Sequence, residues 1–304
     1  MSKAPQRKVR GQAATDRKPP AAAAELAVMA APDFNLALTL NCGQVFHWVA
    51  RGVGWVGVIG EQACYVEQRG ETLLVTAGME EVARRYFALD HPLADIVATF
   101  PKDASMDAAV AACAGLRIIR QPAWECVATF ITSAQKAVPH IAQISHTLRR
   151  RYGRAVDFGG ETLFAYPEPG ALAQLEEAAL RACALGYRAK NLLKTARMVA
   201  SGEVNLVAVA AMEDETAREE LCRLGGVGVK VANCALLFGY ERLGLVPIDV
   251  WIGRILREWY GKKRATPEGL KRFAAKYFGA YAGYAQQYLF HHARTLKREK
   301  AREK

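Results

Sequence analysis

The chain has 304 residues, 51% hydrophobic and 23% charged, the balance of a folded protein with material for one large domain or two ordinary ones. Its net charge of +11 suggests a polyanionic partner, although a solvated basic surface would carry the same charge. No apolar run reaches the roughly 20 residues that span a bilayer, and seven scattered cysteines with no C-x-x-C pair exclude a disulfide framework and point to an intracellular, reducing compartment.

Residues 1–25 are predicted to be a disordered basic tail. The first twenty, MSKAPQRKVRGQAATDRKPP, hold six basic residues against one acid, hence +5 of the total. They lack the apolar core of a secretory signal and the amphipathic pattern of a mitochondrial leader, leaving a solubilising tail or a loose nucleic-acid tether. Residues 34–77 read as strands: VFHWVA, GWVGVIG, QACYVEQ and TLLVTA are β-branched and aromatic runs separated by Arg-Gly and Gly-Glu turn signals, an antiparallel meander. From Met79 the apolar spacing becomes helical, as in MEEVARRYFAL and MDAAVAACAG, and beyond Leu116 almost everything reads as helix. No repeat of fixed period occurs. The expectation is an α+β chain: a small antiparallel β domain with flanking helices over 26–116, then a larger helical domain over 117–304.

The most informative stretch is LGGVGVKVANCALLFGYERLGLVPIDV, Leu224 to Val250. ETAREELCRL before it and VKVANCALLFG within it are helical patterns joined by a glycine turn, a helix–hairpin–helix. Glycines such as Gly226 and Gly228 would let another backbone approach, and the free amides of the second helix would suit a phosphate. Lys230 falls in that helix's first turn, where the dipole is already positive. It is either a solvated lysine or an amine whose pKa the dipole and burial depress, leaving a neutral nucleophile. Cys234, four residues on, shares its helical face. Asp249 fits an N-cap before VWIGRILREWY, accepting backbone hydrogen bonds.

These motifs resemble the helix–hairpin–helix DNA glycosylase superfamily with its Gly/Pro-Asp loop, and within it the 8-oxoguanine DNA glycosylases. NCGQVFHW, YFALDHPL, GLRIIRQPAWECVATFITS, LGYRAKNL and GYAQQYLF recur in that family's order across nearly the whole chain after the tail. The resemblance implies a bifunctional glycosylase and AP lyase of base excision repair, a monomer acting on damaged double-stranded DNA with no cofactor, no metal and no membrane. It implies that Lys230 attacks C1′ to give a Schiff base and that Asp249 stabilises the positive charge developing on the sugar. Gly43 would sense N7–H of the lesion through its carbonyl, Cys234 and Phe290 would sandwich the extruded base, and Gln286 would bond its Watson–Crick edge. Tyr187 would wedge into the duplex and Arg188 would meet the orphaned cytosine. Read without the resemblance, Gly43 is an ordinary bend, Phe290 plain core, and Tyr187–Arg188 a common surface pair.

The pattern departs from the family at three places. Gly225 stands where a proline is usual, expected to loosen the turn. Gln135 and His140 replace an asparagine and an arginine that read the opposite base in the eukaryotic enzymes, so strict cytosine preference is not expected. Trp251 stands near Asp249 where histidine is frequent. The alternatives are a related helix–hairpin–helix glycosylase for another oxidised base and a non-catalytic DNA-binding module. The iron–sulfur branches carry a C-terminal four-cysteine cluster, whereas no cysteine here follows Cys234. A module would need neither Lys230 nor Asp249.

Overall fold

The computed structural model describes residues 25–302, so the predicted basic tail lies outside the described residues except for Glu25. The chain begins with strand β1 (Leu26–Ala30) and a short helix α1 (Leu36–Asn41), then runs through β2 (Val49–Arg51), β3 (Gly54–Ile59), β4 (Gln62–Arg69) and β5 (Thr72–Thr76). The five strands form one antiparallel sheet in the order β1-β5-β4-β3-β2. The predicted meander is β2 to β5, and β1 adds to its far edge by pairing with β5, Val28 opposite Leu74.

Two expectations need correction here. Residues 34–77 are not all strand, because Asn35 caps α1 by accepting from Leu38 N–H at 3.0 Å. NCGQVFHW is not a strand either: it covers the end of α1, a turn at Gly43 and an unpaired stretch before β2. Its polar groups are met by side chains and backbone outside the sheet. Gln44 is fully buried and donates to the carbonyls of Thr39 (3.0 Å) and Arg117 (2.8 Å), while its own carbonyl accepts from Gln121 at 2.8 Å. A side-chain ladder has replaced a strand ladder.

Helices α2 (Glu80–Tyr86), α3 (Leu93–Ala98) and α4 (Ala104–Ala112) follow, then α5 (Ala123–Ser133) and α6 (Val138–Tyr152). A hairpin of β6 (Ala155–Phe158) and β7 (Glu161–Phe164) interrupts the helices, a correction to the expectation that almost everything beyond Leu116 is helix. Strand runs flank Gly159-Gly160 on both sides, which is the signal for a tight hairpin. The rest is helical: α7 (Pro169–Ala173), α8 (Glu177–Leu180), α9 (Arg188–Ala200), α10 (Asp214–Cys222), α11 (Val229–Gly239), α12 (Val250–Glu258), α13 (Pro267–Phe278) and α14 (Ala282–Arg302). No described helix is long and apolar enough to cross a membrane.

Two apolar cores hold the molecule, and they interleave in sequence. Met29, Leu73, Val75 and Phe87 gather on the sheet, whereas Leu93, Ile96 and Met106 of α3 and α4 already belong to the helical core with α5, α9, α11 and α14. Each fully buried Leu, Ile or Phe contributes about 1.5–3 kcal/mol relative to exposure. A buried polar cluster ties the two parts: Arg149 of α6 pairs with Glu125 of α5, and His47 Nδ1 lies 3.3 Å from the same carboxylate. Burial drives the His47 pKa well down, with Arg149 adding repulsion, so the imidazole is neutral there.

Candidate active site

The predicted helical hairpin is present. α10 leads through a turn at residues 223–228 into α11, and Gly226 takes a left-handed φ of +75°. A Cβ at Gly226 would collide with the Asn191 side chain at 2.5 Å, so α9 closes on one side of the turn. Gly225 does not loosen it. Its Cβ position is 2.7 Å from the Asn191 carbonyl, and its own carbonyl accepts from Thr195 Oγ1 at 3.0 Å, so the turn is seated on α9. Gly228, by contrast, is exposed and faces open space, with no internal contact that demands a glycine. It is also the N-cap of α11 and offers no side chain to its first amides, which remain available to an outside acceptor.

Lys230 is the second residue of α11 and is half-buried, its Nζ 5.4 Å from the centroid of Phe130. Phe130 stacks on Phe238 at 5.5 Å and 11°, so α5 and α11 build the floor beneath the amine. Cys234 is buried within hydrogen-bonding reach of Lys230. Of the two readings of Lys230, the depressed pKa does not occur. Burial pulls it down, but the Cys234 sulfur and the Asp249 carboxylate raise it by more. Burial in turn raises the Cys234 thiol, against the pull of Lys230. With its pKa raised, Lys230 stands as an ammonium at neutral pH.

Asp249 caps α12 as its place in the sequence predicts, accepting from Ile252 N–H at 2.8 Å. The cap uses one carboxylate oxygen and turns the residue into the same cavity as Lys230. That cavity has a volume of about 460 Å³ and is walled by five separate stretches of chain, one of them the end of α5 and the start of α6 with Phe130, Ser133 and Ile141. α11 contributes Lys230 and Cys234, the start of α12 contributes Asp249 and Trp251, α14 contributes Gln286 and Phe290, and the turn after α1 contributes Gly43. Six predicted site residues, spread from position 43 to 290, therefore meet in one place.

The walls present an unsatisfied polar atom to the cavity. Gln286 is 5% exposed, yet its Oε1 has no partner among the described residues, a cost of about 1–3 kcal/mol for a buried acceptor unless water or a ligand satisfies it. Its neighbour Gln287 is spent on the Cys42 carbonyl at 3.3 Å, so only the first of the two glutamines is open to a ligand. Gly43 adopts φ +93°, a left-handed conformation that other residues rarely take. Trp251 lies on the rim, with Lys297 Nζ 5.1 Å from its ring centroid.

The residues expected at the strand gap lie elsewhere, between α5, α6 and α9. Tyr187 is 53% exposed and is presented by two left-handed residues, Ala184 (φ +63°) and Gly186 (φ +57°). Gln135 and His140 are exposed, Gln135 also left-handed at φ +53°. Arg188 is buried. Its Nε donates to the Ala134 carbonyl at 2.6 Å, joined there by Nη2, and its Nη1 donates to the Leu185 carbonyl at 3.3 Å. Its Cζ sits 4.3 Å from the Tyr187 ring centroid. Without DNA this arginine is a tie between two loops.

Comparison with known proteins agrees with this architecture. Residues 27–127 match the family described as 8-oxoguanine DNA glycosylase, N-terminal domain, and residues 128–279 match the HhH-GPD superfamily of base excision DNA repair proteins. The chain belongs to the HhH-GPD superfamily. A probable N-glycosylase/DNA lyase of Methanothermobacter thermautotrophicus is 31% identical over 295 residues, covering 86% of this chain and 94% of that protein. A solved structure of MBOgg1 with a low-affinity DNA ligand superposes with a TM-score of 0.85 at 30% identity, covering 89% of this chain and 96% of the other. The 8-oxoguanine glycosylase/lyase of Clostridium acetobutylicum, solved with double-stranded DNA bearing cytosine opposite 8-oxoguanine, gives 0.83 at 27% identity, covering 89% and 98%.

Phe130 and Arg294 are among the contributors to the cavity that the sequence did not single out. Phe130 has no distinguishing local signal. Arg294 does: it stands four residues after Phe290 and eight after Gln286, on the same helical face.

Proposed function

We propose that the protein is a bifunctional DNA glycosylase and AP lyase that removes 8-oxoguanine from duplex DNA. The observation that carries this reading is the convergence of an amine, a carboxylate and a buried, unsatisfied amide on one cavity able to hold an extruded base. Cys234 and Phe290 enclose the base, Gln286 bonds its Watson–Crick edge, and the Gly43 carbonyl accepts from the N7–H that distinguishes 8-oxoguanine from guanine.

Because Lys230 starts as an ammonium, it must lose a proton before it reacts. Its nitrogen then bonds C1′ as the C1′–N9 bond breaks, and the departing base takes the electron pair and a proton. The Asp249 carboxylate faces the positive charge that develops on the sugar. Loss of a second nitrogen proton with ring opening gives the Schiff base. Removal of a proton from C2′ then expels the 3′ phosphate oxygen and nicks the strand. The exposed start of α11 grips the backbone, and Tyr187 fills the space left by the base. Arg188, Gln135 and His140 border the orphaned base. We further propose that the protein acts as a monomer in a reducing intracellular compartment, where its seven free cysteines would persist.

Duplexes bearing 8-oxoguanine, an oxidised pyrimidine, an alkylated purine or no lesion, each incubated with and without borohydride, test the reading. Base release and a trapped covalent adduct are expected with 8-oxoguanine above the others. Preferential release of another base would overturn the substrate assignment.

A further inference from the structure

α14 turns a stripe of side chains toward the cavity at four-residue spacing: Gln286, Phe290, Arg294 and Arg298. The first two hold the base in the proposed function, and Arg294 is left without a role. It is an unusual residue to find there. It is 8% exposed, and among the described residues no carboxylate hydrogen-bonds it. Burial pulls its pKa below the ordinary arginine value, with repulsion from Arg298 adding to the effect. Burying a cation with no carboxylate hydrogen-bonded to it is unfavourable, and the attraction of Asp249 offsets the cost only in part.

The contacts of Arg294 are all with the wall of the base pocket. Nη1 donates to the Cys42 carbonyl at 3.1 Å, the peptide group that leads into Gly43. A Cβ on Gly43 would lie 2.6 Å from Nη1 and 3.4 Å from Phe290 Cε1. The Arg294 Cζ is 5.1 Å from the centroid of the Phe290 ring. The guanidinium thus touches both the Gly43 backbone and the ring one turn earlier, and it occupies the space a side chain at 43 would need. Gly43 is fixed by two independent demands, its left-handed φ and this close approach.

We infer that Arg294 is a positioning residue for recognition of the oxidised purine, locking the Cys42–Gly43 peptide to the Phe290 ring so that the Gly43 carbonyl and the stacking face meet the extruded base together. The inference rests on the proposed base pocket. A planar guanidinium suits the task because it can bond a carbonyl in its plane while its face lies on an aromatic ring. A lysine keeps the charge and loses that geometry.

The test uses the full-length protein with Arg294→Met, which keeps length without charge, and Arg294→Lys, which keeps charge without the fork. Single-turnover excision from an 8-oxoguanine duplex is compared with cleavage of a duplex carrying a preformed abasic site, where no base needs to be read. Melting temperatures establish that each variant is folded. Excision by both variants should fall roughly 10-fold or more, the loss expected for a hydrogen bond to a charged group, and abasic-site cleavage by a clearly smaller factor. Guanidinium ion added to Arg294→Ala should restore part of the excision rate. Equal losses on both substrates, or no loss on either, would overturn the inference and leave Arg294 a general DNA contact or a fold element. A wild-type protein that leaves 8-oxoguanine in place would overturn the functional reading and this inference with it.

Discussion

The cavity and the strand-gap surface are built on opposite plans. Around the cavity, every proposed side chain is held by regular structure, and only the Gly43 backbone lies in a turn: Lys230 and Cys234 are held by consecutive turns of α11, Asp249 by its own helix cap, Gln286 and Phe290 by one face of α14. At the strand gap, Gln135 and Tyr187 sit on left-handed turns or just after them, and Arg188 spends its donors on backbone carbonyls. A site placed on helices keeps its geometry before substrate arrives. A site placed on strained turns stores about 1–3 kcal/mol per unfavourable residue and can yield when the duplex is bent against it. Chemistry should therefore be intolerant of change and opposite-base reading permissive.

The largest separation between the two regions is expected from Asp249→Asn. Asparagine can still accept from Ile252 N–H, so the cap persists and the melting temperature should hardly move. Excision should fall by roughly 10²–10³, the effect of removing one preorganised electrostatic group. A parallel fall in stability and rate would make Asp249 a structural residue.

Gln286→Ala comes next. Its orphaned Oε1 makes a ligand bond the natural partner, so loss of that bond should weaken binding to 8-oxoguanine duplexes by about 1–3 kcal/mol. Binding to an abasic duplex should change much less. Equal losses would move Gln286 out of the base pocket.

How far the sequence revealed these regions follows from the same contrast. Helical spacing placed Lys230 with Cys234, because a face of a helix is readable at intervals of four. Asp249 was legible as a cap because its side chain acts on a backbone amide three residues away. What escaped was non-local. The Lys230 pKa depends on Asp249, nineteen residues on, and on a buried thiol. NCGQVFHW looks like a strand until the Gln121 side chain is seen to hold the Gln44 carbonyl and the Gln44 side chain to bridge Thr39 and residues 117–119. Arg188 looks free to read a base, and only the fold shows the Ala134 carbonyl in its grip. Family resemblance, not periodicity, carried the substrate.

At the strand gap, the prediction is weak discrimination. Single-turnover rates for 8-oxoguanine opposite cytosine, thymine, guanine and adenine should fall within about tenfold of one another, a spread of about 1.4 kcal/mol. A stronger cytosine preference that Arg188→Ala abolishes would show that this arginine leaves Ala134 and reads the base.

The smallest effect is expected at the hairpin. Gly228→Ala adds a methyl group where nothing lies within 4 Å, at a φ of −98° that alanine accepts. Stability should change by no more than about 1 kcal/mol, while affinity for any duplex, damaged or intact, should drop measurably as the methyl meets the DNA backbone. Unchanged affinity would remove the start of α11 from the DNA contact.

The identity of the nucleophile is tested most directly by trapping the protein on an 8-oxoguanine duplex with borohydride, digesting the adduct and locating the modified residue by mass spectrometry. The reduced sugar should be found on Lys230, and Lys230→Gln should bind the duplex yet yield no adduct and no free base. An adduct on another residue, or undiminished trapping by Lys230→Gln, would contradict the assignment of Lys230 as the attacking amine.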